Sequence, residues 1–353
     1  MRIAIDAMGG DFAPRAAVLG ALEAAKEDDL DLLLVGDRRR IDRELRGLGA
    51  AFGSPGRIEI VHASEVVTMD DPATTPIRKK PASSLRVCAE LVKEGRARAM
   101  VTAGNTGAAM IAAKMVLGTI PGVDRPALAA ILPNTVGRTV LLDVGANVAT
   151  KPAYLRQFAV MGHFFAQEVL GARAPRIGLM SVGEEDSKGS DLTREVFKVL
   201  ETTGLNFVGN VEGRDVFSGA VDVIVSDGFV GNVVIKAAEA LAELMGQMLR
   251  EELGRSSRTR AGYLLAKPGF DRFRRRVDYR EYGAAPLLGL QGGCLIGHGR
   301  SGPKAMRSAI RRAREFVAAN LDHKIRIKVA ELHSQEEKLL GDRKPVPRAE
   351  PIR

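Results

Sequence analysis

Six short segments of the chain combine glycine with small polar or charged residues, the residue types that can hold an anionic ligand. They are residues 6–11 (DAMGGD), 103–107 (AGNTG), 143–147 (DVGAN), 182–189 (VGEEDSKG), 226–232 (SDGFVGN) and 297–302 (GHGRSG). Each follows a short apolar run, and backbone N–H groups at the start of a following helix bind anions well. The segments therefore predict a site for a ligand that carries or develops negative charge.

The segment Gly104–Gly107 is a candidate anion site because it follows a predicted strand and opens a predicted helix. Its backbone amides point toward a ligand, and the side chains of Asn105 and Thr106 add donors. The same residue types are favoured as ordinary helix N-caps. The sequence leaves both interpretations open, an anion site and an ordinary helix N-cap.

Two further residues can supply charge or a proton. Lys188 stands between a predicted strand and helix, beside Gly189, where its cation can reach a ligand. Three acids at 184–186 precede it, but consecutive carboxylates do not easily face one ion, so we expect no metal site. His298 can donate to a phosphate or protonate a leaving thiolate, although a single histidine is often structural.

Residues 297–302 match the pattern G-x-G-x-x-G, which is the form of a dinucleotide-binding fingerprint. Asp322 has about the spacing of a ribose-binding acid, but it follows a helix and few elements remain to complete the fold unit. We therefore favour a loop that contacts phosphate or pantetheine. The sequence contains neither GxxxxGK[ST] nor GxSxG, which counts against a P-loop NTPase and an α/β-hydrolase.

Most of the net charge of +9 comes from residues 255–280, which carry +7 by themselves. The basic residues are Arg255, Arg258, Arg260, Lys267, Arg272, Arg274, Arg275, Arg276 and Arg280, and the acids are Asp271 and Asp278. Leu264 and Leu265 interleave with them, as in interfacial helices. The segment predicts contact with an acidic protein or an anionic membrane, or an arm that closes a dimer.

The amino terminus begins with a short apolar strand and lacks the pattern of a signal peptide, and no run of 18 apolar residues follows. Cys88 and Cys294 have neither metal-site spacing nor a nucleophile motif. We therefore expect two reduced thiols in a cytosolic protein.

Short apolar strands alternate with helical patterns from Ile3 to Ala319, which predicts an α/β sheet with helices on both faces. The strands at 127–132 and 139–143 are too close for a crossover helix. They predict an antiparallel hairpin across Pro133–Gly137 and hence a mixed sheet. Ligands of such sheets bind at the carboxyl ends of the strands, where the six glycine-rich segments lie.

In their order along the chain, the motifs DAMGGD, AGNTGA, RPA followed by LDVGAN, GEEDSKG, SDGFVGN and a late GHG resemble the bacterial phosphate acyltransferases of phospholipid synthesis (PlsX type). The resemblance runs from Asp6 to about Gly302. It implies a three-layer α/β/α sandwich related to phosphotransacetylases and isopropylmalate dehydrogenase-like folds, with a mostly parallel mixed sheet and a protruding helical arm. We expect one catalytic domain over residues 1–341, the arm at about 240–283, and a flexible tail over 342–353.

The resemblance implies an acyltransferase that moves a long-chain fatty acyl group from acyl carrier protein to inorganic phosphate, with no cofactor. The implied catalytic residues are Lys188, Asn232 and His298. The implied phosphate- or substrate-binding residues are Asp6, Gly104, Asn105, Thr106, Gly107, Asn147, Asp227 and Gly231. The implied contacts to acyl carrier protein or membrane are Arg255, Arg258, Arg260, Leu264, Leu265, Arg272, Arg274, Arg275 and Arg276.

The resemblance also implies a homodimer that associates peripherally with the inner face of the cell membrane, beside the glycerol-3-phosphate acyltransferase that consumes the product, without nucleic acid. Two other functions compete with it. A dehydrogenase of the isopropylmalate type needs a Tyr–Lys acid/base pair and clustered acids, which the sequence does not suggest. A nucleic-acid-binding protein would use the arginine-rich segment, but aromatic residues for base stacking are few there, and the glycine-rich segments stay unexplained.

Overall fold

The computed structural model of the chain describes residues 1–27, 30–52, 58–277 and 283–341. Its strands are β1 (Arg2–Asp6), β2 (Asp31–Gly36), β3 (Ile58–His62), β4 (Ala99–Thr102), β5 (Ala127–Pro133), β6 (Arg138–Leu142), β7 (Ile177–Met180), β8 (Phe207–Val211), β9 (Val223–Val225), β10 (Ala284–Leu288) and β11 (Gly293–Gly297). These strands form one sheet in the order β3-β2-β1-β4-β11-β10-β5-β6-β9-β7-β8.

Helices connect most of the strands, as the alternating sequence pattern predicts. They are α1 (Arg15–Glu27), α2 (Arg38–Phe52), α3 (Thr75–Arg78), α4 (Ser84–Lys93), α5 (Thr106–Leu117), α6 (Pro152–Leu170), α7 (Asp191–Glu201), α8 (Asp215–Ser218), α9 (Gly228–Gly254), α10 (Ser257–Val277), α11 (Pro303–Ala318) and α12 (Leu321–Gly341).

Helices cover both faces of the sheet, so neighbouring residues of one strand belong to different cores. In β1, Ile3 and Ile5 pack with α1 and α11, whereas Ala4 packs with α4 and α5. In β6, Leu141 belongs to the second of these cores and Leu142 packs with α6. Burial on both faces explains why these strands are continuous apolar runs. The predicted mixed, mostly parallel α/β fold is confirmed.

Strand direction reverses in the middle of the sheet. The strands β3, β2, β1, β4 and β11 are parallel, β10 is antiparallel to both β11 and β5, and β5 is antiparallel to β6. From β6 onward, β9, β7 and β8 are again parallel to one another. The β5–β6 pair, with Pro133 opposite Arg138, is the predicted hairpin. The two parallel blocks consequently run in opposite directions.

Six elements have no strand or helix pattern of their own in the sequence, two of them the four-residue helices α3 and α8. Strand β10 contains Pro286, which lacks an N–H for strand pairing and obscures the strand pattern. The apolar residues of α2 are hidden among arginines, and α10 and α12 have mixed polar sequences. The sequence pattern predicts a helix from Gly231 to Leu253, and α9 begins three residues earlier, at Gly228.

The second half of α9 and the described part of α10 carry few packing contacts. No residue from 240 to 273 is buried, and α10 packs on α9. This pair of helices, hereafter the arm, occupies the predicted position of the helical arm. None of the helices in the described ranges has the length and apolarity needed to cross a membrane. The single domain over 1–341 stays a prediction, and the expected tail over 342–353 lies outside the described residues.

Candidate active site

Asp6 is the buried centre of the first group of predicted site residues. It ends β1 and is only 2% exposed. One carboxylate oxygen accepts hydrogen bonds from the Ser84 hydroxyl (2.7 Å) and the Met8 amide (3.1 Å), and the other accepts from the Thr102 hydroxyl (2.8 Å). Burial raises the pKa of the Asp6 carboxyl, against the lowering effect of these donors. Asp6 therefore links the loop after β1 to the end of β4 and the start of α4.

The Gly104–Gly107 segment follows β4 beside this carboxylate. The amide of Gly104 donates to the Thr102 hydroxyl oxygen at 3.0 Å. The Asn105 side chain caps α5 by accepting from the Ala108 amide (3.0 Å), as expected of an asparagine at this position.

The side-chain nitrogen of Asn105 also donates to the carbonyl oxygens of Met69 (3.0 Å) and Asp71 (2.9 Å). These two bonds use both hydrogens of the amide group. Asn105 thus holds the segment in place, while Thr106 is exposed and Gly107 is partly exposed at the start of α5.

The loop that carries His298 joins the same group. The carbonyl of Gly299 accepts from the Asp11 amide at 2.9 Å, which ties the loop after β11 to the loop after β1. His298 is exposed, and its Nδ1 accepts from the Arg300 amide at 3.3 Å. Because β1, β4 and β11 are parallel neighbours, Asp6, Gly104–Gly107 and His298 share one edge of the sheet. We call them the first group.

Asp143 is the buried centre of a second group, and it was not among the predicted site residues. Its carboxylate is fully buried directly after β6 and accepts from four N–H donors. They are the amides of Leu128 (2.9 Å), Ala146 (3.1 Å) and Asn147 (2.6 Å) and the side-chain nitrogen of Asn147 (3.0 Å). Burial raises the pKa of the Asp143 carboxyl. Its position after a strand, at the head of a glycine-rich segment like that of Asp6, is the signal that identifies it.

Asn147 and Asp227 mainly stabilise this second group. The Asn147 side chain also donates to the Pro126 carbonyl at 2.8 Å. The backbone carbonyl of Asn147 accepts from the Gly228 amide at 2.9 Å. Asp227 is the N-cap of α9, with one carboxylate oxygen accepting from the Val230 amide at 2.8 Å. These bonds join the loop after β6 to the loop after β9.

Gly231 lets α9 lie directly on the loop after β6. A Cβ atom at this position would collide with the carbonyl oxygen of Asp143. The next residue, Asn232, is exposed, and its side chain lies beside Gly145. Gly231 is therefore required for packing, and it sets the position of Asn232 over the glycine of the neighbouring loop.

Lys188 lies in the exposed loop after β7, the strand next to β9. Its aliphatic stem packs over Gly183. Of the three preceding acids, Glu184 pairs with Arg214 at 2.6 Å. In the part of the chain that the structure describes, no three His, Cys, Asp or Glu side chains come together as metal ligands. Lys188 and Asn232 therefore belong to one edge, that of the second group.

The two groups leave opposite edges of the sheet, because the blocks that carry them are antiparallel. This differs from the single row of strand-exit loops expected from the sequence. Four to six strand pairings separate β4 from β6, β9 and β7. Each pairing adds about 20–25° of twist, so the twist accumulated over these pairings is about 80–150°. Strands of the two blocks would point in opposite directions in a flat sheet, and this twist leaves about 30–100° between their directions. A sheet with this average twist brings the two groups closer together than a flat sheet would.

A cavity of about 430 Å³ lies elsewhere, at the amino ends of β4 and β11. Its lining includes Arg98, Gln291, Asp322 and Arg326 and none of the predicted site residues. Asp322, weighed above as a ribose contact, therefore lies at the edge opposite the G-x-G-x-x-G loop. Only helices α11 and α12 follow that loop in the described chain, so a complete dinucleotide-binding unit does not form there.

Both cysteines are buried in the core beside the first group. Burial raises the pKa of the Cys88 thiol well above its usual value and that of the Cys294 thiol to about 12. A thiolate is the reactive form of cysteine, and burial opposes its formation here. The structure thus agrees with two inert thiols.

The predicted carrier-protein or membrane contacts lie on the arm. Arg255, Arg258, Arg260, Leu264, Leu265 and Arg272 are at least partly exposed there, with Leu265 87% exposed. Arg255 pairs with Glu252 at 2.9 Å. The side chains of Arg274, Arg275 and Arg276, together with Arg280 and Asp278, lie outside the described residues.

Known proteins share both the sequence and the fold. The fatty acid synthesis protein family (FA_synthesis) matches residues 1–324. A phosphate acyltransferase from Geotalea uraniireducens is 50% identical over 332 residues, covering 94% of this chain and 95% of that protein. One from Pelotomaculum thermopropionicum is 50% identical over 326 residues, covering 92% and 94%.

Solved structures of lower identity have the same fold. A phosphotransacetylase from Streptococcus pyogenes superposes with a TM-score of 0.62 at 18% identity, covering 90% of this chain and 94% of that one. A branched-chain phosphotransacylase from Enterococcus faecalis gives a TM-score of 0.56 at 16% identity, covering 90% and 99%. The expected relation to the phosphotransacetylase fold is confirmed.

These matches confirm the enzyme class expected from the motifs, an acyltransferase. They cover the segments that hold both groups of predicted site residues, from Asp6 to Gly302. The chain therefore belongs to the fatty acid synthesis protein family that includes the phosphate acyltransferases.

Proposed function

We propose that this chain transfers a long-chain fatty acyl group from acyl carrier protein to inorganic phosphate and yields an acyl phosphate for phospholipid synthesis. The observation that carries the proposal is the identity of about one half, over more than nine-tenths of the chain, with proteins named phosphate acyltransferase. The acyl carrier protein and the long chain are the finer parts of the proposal, and the experiment below tests the first of them.

The transfer proceeds by direct attack of phosphate on the thioester. A phosphate oxygen forms a bond to the carbonyl carbon, the carbon–sulfur bond breaks, and the thiolate leaves with the bond electrons. The burial of Cys88 and Cys294 supports this route, because neither thiol is accessible as an acyl acceptor. Phosphate is already anionic, so the protein mainly has to orient it, an effect that can supply about 7–11 kcal/mol of a barrier.

Lys188 and Asn232 bind the reacting groups from the second edge. Lys188 lies in the loop after β7 and Asn232 near the start of α9, after the neighbouring strand β9, and both side chains are exposed. The Lys188 ammonium neutralises the phosphate, while the Asn232 amide donates to the oxyanion that develops on the carbonyl. A donor of this kind typically contributes about 2.7–4 kcal/mol to transition-state stabilisation.

The first group completes the site from the other edge. The start of α5, at Thr106 and Gly107, presents amides to an anion, and His298 gives a proton to the departing thiolate. Asp6, Gly104, Asn105, Asn147, Asp227 and Gly231 act by holding these loops in position. The sheet twist estimated above supports a site shared by the two groups.

The arm serves assembly and membrane contact in this proposal. Leu241, Leu244, Met245 and Met248 form an exposed apolar stripe at helical spacing on α9, which suits pairing with a second copy. Leu264 and Leu265 on α10, flanked by arginines, suit the surface of an anionic membrane. The enzyme then works at the inner face of the cell membrane, where a glycerol-3-phosphate acyltransferase consumes its product.

The test measures release of the free carrier-protein thiol from palmitoyl-acyl carrier protein, with and without inorganic phosphate. We expect phosphate-dependent release by the native protein and a strong loss in Lys188→Ala. The matched control is Lys198→Ala, which removes another exposed lysine, from α7, and leaves the rate unchanged.

Three other results would change the proposal. Release that survives Lys188→Ala keeps the activity and removes the site. Release without phosphate indicates a thioesterase. No release from the native protein removes the acyl-carrier-protein donor altogether.

A further inference from the structure

Helix α2 carries a face of arginines that the proposed mechanism does not use. Ile41, Leu45 and Leu48 pack against the core beneath α2. On the opposite face, Arg39, Arg43 and Arg46 follow one another at intervals of four and three residues, and all three are exposed. This spacing aligns them on one stripe of the helix. We call Arg39, Arg43 and Arg46 the arginine face.

Several neighbouring arginines are bound to other parts of the chain. Arg38 donates to the Ile60 carbonyl at 2.7 Å, and Arg40 donates to the Ala13 carbonyl at 3.5 Å. Arg15 pairs with Glu44 at 3.3 Å. These contacts anchor α2 to the start of α1 and to β3.

Acidic side chains neutralise the positive charge of the arginine face only in part. Arg46 pairs with Asp42 at 3.4 Å, and its side chain is 83% exposed. Among the described residues, neither Arg39 nor Arg43 is held in a salt bridge. Like charges four residues apart destabilise a helix slightly, so the stability of α2 does not account for this pair.

Arg39, at the amino end of the arginine face, lies at the edge of the sheet that carries the first group. Helix α2 follows the carboxyl end of β2, which pairs with β1 in parallel. Phe12, in the loop after β1, is 55% exposed beside Asp11, the residue tied to the Gly299 carbonyl. Exposed aromatic and arginine side chains are both enriched in protein interfaces.

The loops at the far end of the sheet have the opposite charge. Residues 183–194 and 212–215, after β7 and β8, contain six acids and three bases. The acids are Glu184, Glu185, Asp186, Asp191, Glu212 and Asp215. The α2 end therefore attracts an acidic partner more strongly than the far end does.

We propose that the arginine face of α2, together with Phe12 next to the Ala13 carbonyl that Arg40 contacts, is the docking surface for the acidic acyl carrier protein. The inference rests on the proposed function, because that function supplies the acidic donor. A protein fits better than a membrane, since the arginine face contains no apolar residue to insert, whereas the arm exposes Leu264 and Leu265. The arm then remains for the second copy and the membrane.

The test compares two charge-reversed proteins of full length. One carries Arg39→Glu and Arg43→Glu on α2, and the other carries Arg258→Glu and Arg260→Glu on the arm. Binding of fluorescently labelled acyl carrier protein is measured at low and physiological salt, with thiol release measured alongside. We expect the α2 variant to weaken binding and kcat/KM about tenfold or more, and to lose more of both than the arm variant does.

The α2 variant should keep its kcat at saturating donor and its KM for phosphate, which a misfolded protein would not. Loss of binding in the arm variant alone, or in neither variant, overturns the docking surface. Loss of binding to anionic phosphatidylglycerol vesicles by the α2 variant, without loss of carrier-protein binding, assigns the arginine face to lipid and also overturns it. If the native protein shows no phosphate-dependent release, the proposed function itself fails.

Discussion

Asp6 and Asp143 hold equivalent positions in the two antiparallel blocks of the sheet. Each follows or ends a strand, is buried and joins several loops, and burial raises the pKa of each carboxyl. Their donors differ. Asp6 accepts from two hydroxyls, those of Ser84 and Thr102, as well as from backbone amides. All of the donors to Asp143 are N–H groups.

The difference determines how each region can respond to change. A hydroxyl can rotate and either donate or accept, so the Asp6 network can rearrange when a ligand binds or a residue is replaced. An amide N–H can only donate, so the Asp143 network tolerates one arrangement. The packing of the two regions differs in the same way. An added Cβ atom at Gly231 has no room beside the Asp143 carbonyl, whereas one at Gly104 has some room. The second region is the rigid one.

The largest effect is expected from alanine at Gly231. Its Cβ would meet the backbone carbonyl of Asp143, so α9 or the loop after β6 must move. We expect a loss of about 1–3 kcal/mol or more in unfolding free energy, although alanine is the better helix former by about 1 kcal/mol. Chemical denaturation measures it.

The matched variant is Gly104→Ala in the first region. There a Cβ would lie 3.3 Å from the Thr102 hydroxyl oxygen and 3.4 Å from Gly9, and we expect a loss below about 1 kcal/mol. Equal losses in the two variants would remove the contrast in packing.

Replacement of each aspartate by asparagine tests the donors. In Asp143→Asn the new NH₂ group must face an N–H donor, which costs about 1–3 kcal/mol for each buried group left unpaired. In Asp6→Asn the Thr102 hydroxyl can turn to accept from the new NH₂, so the loss is smaller. The unfolding free energies of both variants measure this difference. A larger loss of unfolding free energy in Asp6→Asn than in Asp143→Asn would contradict the proposed roles of the donors.

The raised pKa of Asp6 predicts a pH dependence with a definite sign. Native Asp6 keeps its proton above the ordinary aspartate value of about 3.9, so its contribution to stability is full below that value and is lost as pH rises through the native pKa. Asp6→Asn lacks this contribution. The stability deficit of the variant should therefore be larger near about pH 4 than near about pH 7.

Thermal unfolding of the native protein and the variant across this range measures the deficit. Asp186→Asn, which changes an exposed loop carboxylate, is the control and should give a flat difference. A deficit that grows toward neutral pH would show that hydrogen bonds to the ionised carboxylate outweigh its burial.

The smallest effect is expected from the cysteines beside the first region. Because both thiols are buried and their pKa values are raised, Cys88→Ala and Cys294→Ala should keep phosphate-dependent thiol release within about twofold. Steady-state rates and the burst phase measure this. Loss of transfer in either folded variant, shown by an unchanged circular dichroism spectrum, would place a covalent acyl-cysteine in the first region and contradict direct attack.

Local sequence determined a large part of this protein. The order of the glycine-rich motifs identified the family, the alternation of strands and helices predicted the α/β class, and the short link at 133–137 predicted the β5–β6 hairpin. The N-cap interpretation of Asn105 is confirmed, because its side chain accepts from a free amide in the first turn of α5. These features depend on neighbours in the chain.

Only the tertiary structure decided which motifs lie together. Strand β10 pairs Leu287 with Leu128 and Pro286 with Leu295, and through β10 and β5 the second block of strands reverses direction. Pairing between residues this far apart leaves no local pattern, so the sequence did not reveal that Lys188 and Asn232 leave one edge and His298 the other. Burial likewise arises from the packed fold, which made Asp143 a structural centre and left the arginines of α2 exposed.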